Sequence, residues 1–244
     1  MAEDSGCYAL VPFAYTSPFA DTLRLPERQV EVCGRVLRLR QCYESDGRGG
    51  TELGFGASVY NASVALSLWL ESHPAVLQQR SIIELGCGPG LVSIAASMLG
   101  ARAVLCTDGD PASVALAEHN CEQNLFERAC EVSCLRLRWG DAEDIDRVLS
   151  RPLFSSGNLV LASDVVAPPY VHSYEHLVST MLKLCAGLEG RVLMAYQRRH
   201  HSDDLFWRRF RRVFAVEVIP RESLHKDFVD SPISIIQGIP LPEK

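Results

Sequence analysis

Ile82-Ile83-Glu84-Leu85-Gly86-Cys87-Gly88-Pro89-Gly90-Leu91-Val92-Ser93-Ile94 is the stretch whose reading decides the fold. Ser81 to Leu85 is a short apolar run of the kind that forms a buried strand, and Leu91 to Leu99 reads as a helix. Between them stand three glycines at every second position, Gly86, Gly88 and Gly90. Glycine lets the backbone turn sharply and approach a ligand with no Cβ in the way. The helix N-terminus behind the turn offers free N–H groups and the positive end of a dipole. Strand, glycine turn and helix in that order form the nucleotide-binding opening of an α/β fold.

The next apolar run, Ala103 to Cys106, reads as a second strand ending in Thr107-Asp108-Gly109-Asp110. Asp108 follows Glu84 by 24 residues, close to the ~20-residue interval at which an acidic side chain at a strand tip reaches ribose hydroxyls. Its other role would be to cap the helix that starts at Pro111. Asp110, directly before that proline, is better placed to do so, which leaves Asp108 for a ligand. Cys130 to Leu137 reads as a third strand, with Trp139-Gly140 beyond its end. Asn158 to Ser163 reads as a fourth, with Asp164 at its tip. Ligands of open α/β sheets lie outside the carboxyl ends of the strands, and the glycine turn, Asp108, Trp139 and Asp164 all fall there. Trp139 offers a face or edge for an aromatic base.

At 244 residues with 47% hydrophobic and 22% charged side chains, the chain has the composition of a globular domain with a large core. A net charge of −6 argues against attraction of the whole molecule to nucleic acid or acidic lipid. The nine cysteines include no Cys-x-x-Cys pair, so neither a metal nor a redox centre is expected. Cys87, Cys106, Cys134 and Cys185 sit in apolar runs, where cysteine acts as a small hydrophobe. No apolar run approaches the ~18 residues of a membrane span, and the acidic start is unlike a signal peptide. The expectation is a cytoplasmic protein, present also in the nucleus, and a monomer.

Residues 1–50 are expected to form an N-terminal arm and a β-hairpin, and residues 51–244 the main domain. Gln29 to Gln41 places valines and leucines around Cys33-Gly34, which suggests two strands and a turn. Ser45 to Gly50 reads as a loop. Val59, Ala62, Leu66, Trp69 and Leu70 recur at helical spacing, so a helix precedes the first core strand. Further helices are expected over Pro111 to Asn124, Val171 to Ala186 and Asp203 to Phe214. Asn120 and Asn124 read as a C-terminal cap pair on the first of these. Strands are expected over Arg191 to Ala195, Ala215 to Ile219 and Pro232 to Ile239, the last two antiparallel. The alternation implies an α/β fold: a Rossmann-like, seven-stranded, mostly parallel sheet flanked by helices, with an N-terminal β-hairpin extension. The arginines between Arg198 and Arg212 read as a solvated basic face.

The spacing Gly-x-Gly-x-Gly preceded by Glu84 resembles motif I of the S-adenosylmethionine (SAM) methyltransferases. Over residues 52–238 the chain resembles the seven-β-strand, lysine-methyltransferase-like family that modifies calmodulin, elongation factors and chaperones. Gly56 with Tyr60 resembles that family's Gly-x-x-x-Trp element. Cys106-Thr107-Asp108 with Asn120, Trp139 before Gly140, and Tyr196-Gln197-Arg198-Arg199 resemble further family motifs. One departure stands out. The family pattern after the fourth strand is Asp-x-x-Tyr, whereas here it is Asp164-Val165-Val166-Ala167, with Tyr170 three residues on. Ala167-Pro168-Pro169-Tyr170 also resembles the Asn-Pro-Pro-Tyr motif of amino methyltransferases, with alanine in place of the polar residue.

The resemblance implies a SAM-dependent N-methyltransferase that acts on a lysine of a protein, an elongation factor or chaperone for example, and releases S-adenosylhomocysteine. It implies cofactor contacts by Tyr60, Glu84, Gly86, Cys87, Gly88, Gly90, Asp108, Trp139 and Ser163. Asp164 would orient the amine or take its proton, with Tyr170 or Tyr196 shaping the channel. The alternatives are methylation of RNA or a small molecule, and a SAM-binding partner subunit without catalysis.

Overall fold

The computed structural model describes residues 21–42, 54–125 and 130–242. The expected arm over residues 1–20 and the loop over 45–50 lie outside them. The described chain begins with a short 3-10 turn and the hairpin strands β1 (Glu27–Val32) and β2 (Arg35–Arg40), joined through Cys33 and Gly34, both with positive φ. Then come α1 (Asn61–Ser72), β3 (Ser81–Leu85), α2 (Leu91–Met98), β4 (Ala103–Asp108), α3 (Pro111–Asn124), β5 (Glu131–Arg136), α4 (Ala142–Leu149) and β6 (Leu159–Ser163). A 3-10 turn over Pro168–Ser173 leads to α5 (Tyr174–Leu184), β7 (Arg191–Gln197), α6 (Asp203–Val213), β8 (Phe214–Val218) and β9 (Ile233–Pro240).

The seven core strands run in the order β5-β4-β3-β6-β7-β9-β8. The first five are mutually parallel, β9 is antiparallel to β7, and β8 is antiparallel to β9. Side chains alternate across each strand. Ile82, Val104, Leu159, Leu161, Leu193 and Ala195 therefore face one layer, built from α1, α2 and the hairpin. Ile83, Leu105, Val160, Ala162, Val192 and Met194 face the other, built from α4, α5 and α6. Burial on both faces is why these strands read as unbroken apolar runs rather than alternating ones.

Two expectations change. The helix after Asp164 starts later than Val171, because Pro168 and Pro169 impose a 3-10 turn and α5 begins at Tyr174. Asn120 and Asn124 do not cap α3; their side chains run along the outer edge of β2 and bond its backbone at Arg40 and Arg38. One element was missed, α4, whose N-cap Asp141 accepts from the Asp144 N–H at 3.0 Å. Its signal is Asp141 before Ile145 and Val148, the buried pair on one face.

Candidate cofactor and amine site

The sheet order reverses between β3 and β6, and the crevice at the carboxyl ends of these two strands is the switch point where such folds bind ligands. A cavity of about 610 Å³ opens there. The glycine turn forms its floor. Gly86 has φ +67°, and a Cβ at that position would lie 2.8 Å from Val165 Cγ1. Gly88 has φ +48° and packs against the Gly56 backbone. Both positions need glycine for conformation and for space. The turn is tied to the neighbouring strand by the Cys87 N–H, which donates to the Thr107 carbonyl at 2.9 Å.

Gly86, Cys87 and Gly88 line the cavity from the turn, and Tyr60 lines it as the residue before α1. Asp108, Trp139, Ser163, Asp164 and Tyr170 line it from the ends of β4, β5 and β6. Asp108 sits at the tip of β4, where its carboxylate accepts from the Gly88 N–H at 3.1 Å and the Asp110 N–H at 3.0 Å. Burial raises its pKa, partly offset by those two donors. Asp110 is the cap of α3, accepting from the Ala112 N–H at 2.9 Å. Trp139 meets Tyr170 edge to face, with ring centroids 5.5 Å apart. The Tyr170 hydroxyl is pushed up to about 12 by burial, with Asp108 and Tyr60 adding to the shift. Tyr170 thus stands on the Asp108 and Trp139 side of the cavity.

Two of the expected cofactor contacts lie elsewhere. Glu84 is 1% exposed and lies behind the turn, where its Oε2 accepts from the Ser93 N–H at 2.9 Å and the Ser93 hydroxyl at 2.6 Å. It pins the start of α2 to β3, so its effect on a ligand passes through the turn. Gly90 is the left-handed N-cap of α2 and faces α3, where a Cβ would come 3.3 Å from that of Ala117. Tyr196 does not shape a channel either; its hydroxyl donates to Asp203 Oδ2 at 3.0 Å and its ring packs on Trp207.

Two further cavity residues have no site role in the sequence reading. Ser113, on the first turn of α3, is fully buried, and its Oγ has no hydrogen-bond partner among the described residues. A Cβ on Gly56 would lie 2.2 Å from that oxygen, which explains the glycine there. Arg199 enters from the far side and pairs with Asp164 through two bonds of 2.7 Å. Ser113 belongs to no local pattern, and Arg199, which closes the Tyr196-Gln197-Arg198-Arg199 motif, carries no signal in sequence that it meets Asp164.

These features fit SAM. The glycine floor admits a ligand against bare backbone, the Asp108 carboxylate can accept from ribose hydroxyls, and Trp139 and Tyr170 offer aromatic surface. Ser113 Oγ supplies a polar atom with no partner among the described residues. The SAM-methyltransferase fold and the cofactor are supported by relatives as well as by geometry. A family profile described as lysine methyltransferase matches residues 47–213. Protein N-lysine methyltransferase METTL21A of Danio rerio is 31% identical over 222 residues, covering 88% of this chain and 91% of that protein. EEF1A lysine methyltransferase 3 of Xenopus tropicalis is 29% identical over 221 residues, covering 89% of each. The fold is shared with a methyltransferase crystallised with S-adenosylhomocysteine, at TM-score 0.51 and 14% identity over 88% of this chain and 56% of that one. The chain is a SAM-dependent enzyme and belongs to the lysine methyltransferase family.

Proposed function

We propose that the protein methylates a lysine side chain of a protein substrate, with Asp164 receiving the amine and Asp108, Trp139 and the turn at Gly86 to Gly88 holding the cofactor. The observation that carries this reading is the position of Asp164. Its carboxylate opens into the same cavity as Asp108 but stands at the tip of a different strand, β6. Asp164 also has φ +57°, a left-handed conformation that costs free energy in a non-glycine residue and concentrates at functional sites. SAM supplies an electrophilic methyl group, so the chain has to align a neutral amine with it and exclude water. Asp164 would accept a hydrogen bond from the amine, while Tyr60 and Tyr170 close the sides of the cavity.

The substrate we favour is elongation factor 1A, the protein named in the Xenopus relative that matches along most of its length. A cytoplasmic location agrees with the described cysteines, all of which are free thiols, the state kept in a reducing compartment. Cell fractionation with an antibody to the chain tests the location. Ala167 lines the cavity where the family resemblance calls for an aromatic, so the substrate side of the site differs from the family pattern there.

The deciding experiment is transfer of tritiated methyl from SAM to recombinant elongation factor 1A and to a nuclease-treated cell extract, with Asp164→Ala in parallel. A labelled protein band that the variant loses supports lysine methylation. Wild-type labelling by Asp164→Ala removes Asp164 from the reaction. Absence of label on any protein, with SAM bound in calorimetry, counts against methylation of a protein lysine.

A further inference from the structure

Asp164 is not an open carboxylate. Arg199 Nη1 donates to Oδ1 and Nη2 to Oδ2, each at 2.7 Å, so the guanidinium spans both oxygens in a planar fork. The Asp164 side chain is 8% exposed and that of Arg199 35%, so the pair sits at the rim of the cavity, with the carboxylate sheltered and the guanidinium partly open to solvent. Both partners are held by their backbones. The Asp164 N–H donates to the Ala195 carbonyl at 3.1 Å. Two residues beyond β7, the Arg199 N–H donates to Asp203 Oδ2 at 3.0 Å. Asp203 is fully buried and also accepts from the His200 N–H at 3.1 Å and the Tyr196 hydroxyl. The segment that presents Arg199 is therefore pinned to the N-terminus of α6.

The charge of this pair matters because only the neutral amine of a lysine carries a lone pair to attack with, and a free lysine has a pKa of ~10.4. A bare carboxylate within ~4–6 Å stabilises the ammonium and moves the amine further from its reactive form. A guanidinium on the same carboxylate cancels that effect. We infer that Arg199 is a positioning residue that holds Asp164 in a neutral ion pair, so that the target amine is received beside zero net charge and enters as the free base. The proton of the arriving ammonium passes to water, and Asp164 keeps only the role of hydrogen-bond acceptor through the lone pairs that Arg199 leaves open. Among the described residues, the remaining ionisable groups on the cavity or in contact with the pair are Tyr60 before α1, Cys87 in the glycine turn, Asp108 on β4, Asp110 at the cap of α3, Arg138 after β5, Tyr170 before α5 and Asp203 on α6. Of these, Arg138 is engaged by Asp141 and Asp144, and Asp203 by the backbone around Arg199.

This inference rests on the lysine-methyltransferase reading, and its test does not need the natural substrate. The probe is n-butylamine, titrated calorimetrically into the protein saturated with S-adenosylhomocysteine at pH 8 in two buffers of different ionisation heat. Wild type is expected to release about one proton for each amine bound. Arg199→Gln, which leaves Asp164 bare, is expected to bind the ammonium and release close to none. Arg199→Lys restores a positive charge and is expected to restore release; binding of S-adenosylhomocysteine by each variant shows that it has folded. Where elongation factor 1A or an extract protein is labelled, the pH–rate profile of Arg199→Gln moves to higher pH by about one unit. Equal proton release by wild type and Arg199→Gln overturns the inference, as does failure of wild type to bind n-butylamine at all. Proton release that depends on Arg199 in a protein that labels nothing would leave this inference standing and count against the proposed reaction alone.

Discussion

Asn120 and Arg40 exchange hydrogen bonds as two strand residues would. The Arg40 N–H donates to Asn120 Oδ1 at 2.9 Å, and Asn120 Nδ2 donates to the Arg40 carbonyl at 3.1 Å. The same Nδ2 donates to the Pro89 carbonyl in the glycine turn at 2.9 Å. One turn along α3, Asn124 repeats the pairing with Arg38 at 2.9 and 3.0 Å. One helix thereby joins the hairpin to the cofactor floor. Asn120→Ala strips partners from three backbone groups at a 1% exposed site. It is expected to lower unfolding free energy by about 3 kcal/mol. Urea denaturation measures this; a loss below about 1 kcal/mol would show that the Asn120 bonds contribute little to holding the hairpin.

Asp108 is committed to two backbone N–H groups, and its remaining acceptor capacity faces the cavity. Asp108→Asn replaces one carboxylate oxygen by an NH₂ group, which cannot accept from the Gly88 or Asp110 N–H. SAM affinity should fall by about tenfold to a hundredfold, the range for a hydrogen bond to a charged group. Calorimetric titration reads it directly, and an unchanged dissociation constant would place the ribose elsewhere.

Burial, followed by the nearby Cys106, raises the Glu84 carboxyl well above the ordinary range, and the Ser93 hydrogen bonds offset only part of the rise. In the unfolded chain the group ionises near ~4.3. A carboxyl whose folded pKa exceeds its unfolded one ionises readily only after unfolding, so it lowers stability as pH climbs above the unfolded value. Glu84→Gln keeps an oxygen for Ser93 and has no charge to bury. It should match wild type near pH 4 and exceed it at pH 8 by about 1 kcal/mol or more. SAM affinity should stay within about threefold. A large loss of SAM binding would show that the charge on Glu84, and not only its hydrogen bonds to Ser93, acts on the cofactor.

The loop that carries Trp139 is anchored by acid–base pairs with the opposite sign. Arg138 Nε donates to Asp144 Oδ2 at 2.8 Å, the Arg138 N–H donates to the same oxygen at 3.0 Å, and Arg147 holds Oδ1. The Arg138 side chain holds the Asp144 carboxyl down at about 2. Its contribution to stability is complete above the unfolded value of ~3.9 and disappears as pH falls through about 2. Asp144→Asn should cost about 1–2 kcal/mol at pH 7, allowing for solvent around the half-exposed arginines. The wild-type and variant stability curves should converge by pH 2; parallel curves down to that pH would exclude the charge as the cause.

Most of the fold could be read locally. The strand, glycine turn and helix at Ser81 to Met98 form where the apolar run, the three glycines and the helical pattern place them. The Asp110-Pro111 start and the Asn124 end of α3 were equally legible, because a cap and a proline act on their own backbone. The late strands were legible because they have no helix-length spacer and must pair antiparallel. α4 was missed because eight residues with four charges show too few apolar positions for periodicity to stand out. The start of α5 was misplaced because two prolines favour a tighter turn than the apolar pattern suggests.

The site divides along the same line. Gly86, Gly88, Asp108, Trp139 and Asp164 could be named from sequence because each sits at a strand end, and parallel strands bring their carboxyl ends to one edge. The partner of Glu84, Ser93 at the start of α2, could not be read from sequence, since whether a carboxylate reaches a ligand or a helix N-terminus depends on which way the strand faces. The order of elements, the glycine floor and the strand tips were legible in the amino acids alone, because spacing and periodicity act over a few residues. It took the packed molecule to show that Asn120 bonds the hairpin, that Ser113 Oγ has no partner among the described residues, and that Arg199 meets Asp164 across 35 residues of chain. Those contacts join separate elements, and no local pattern carries the packing that brings them within hydrogen-bond distance.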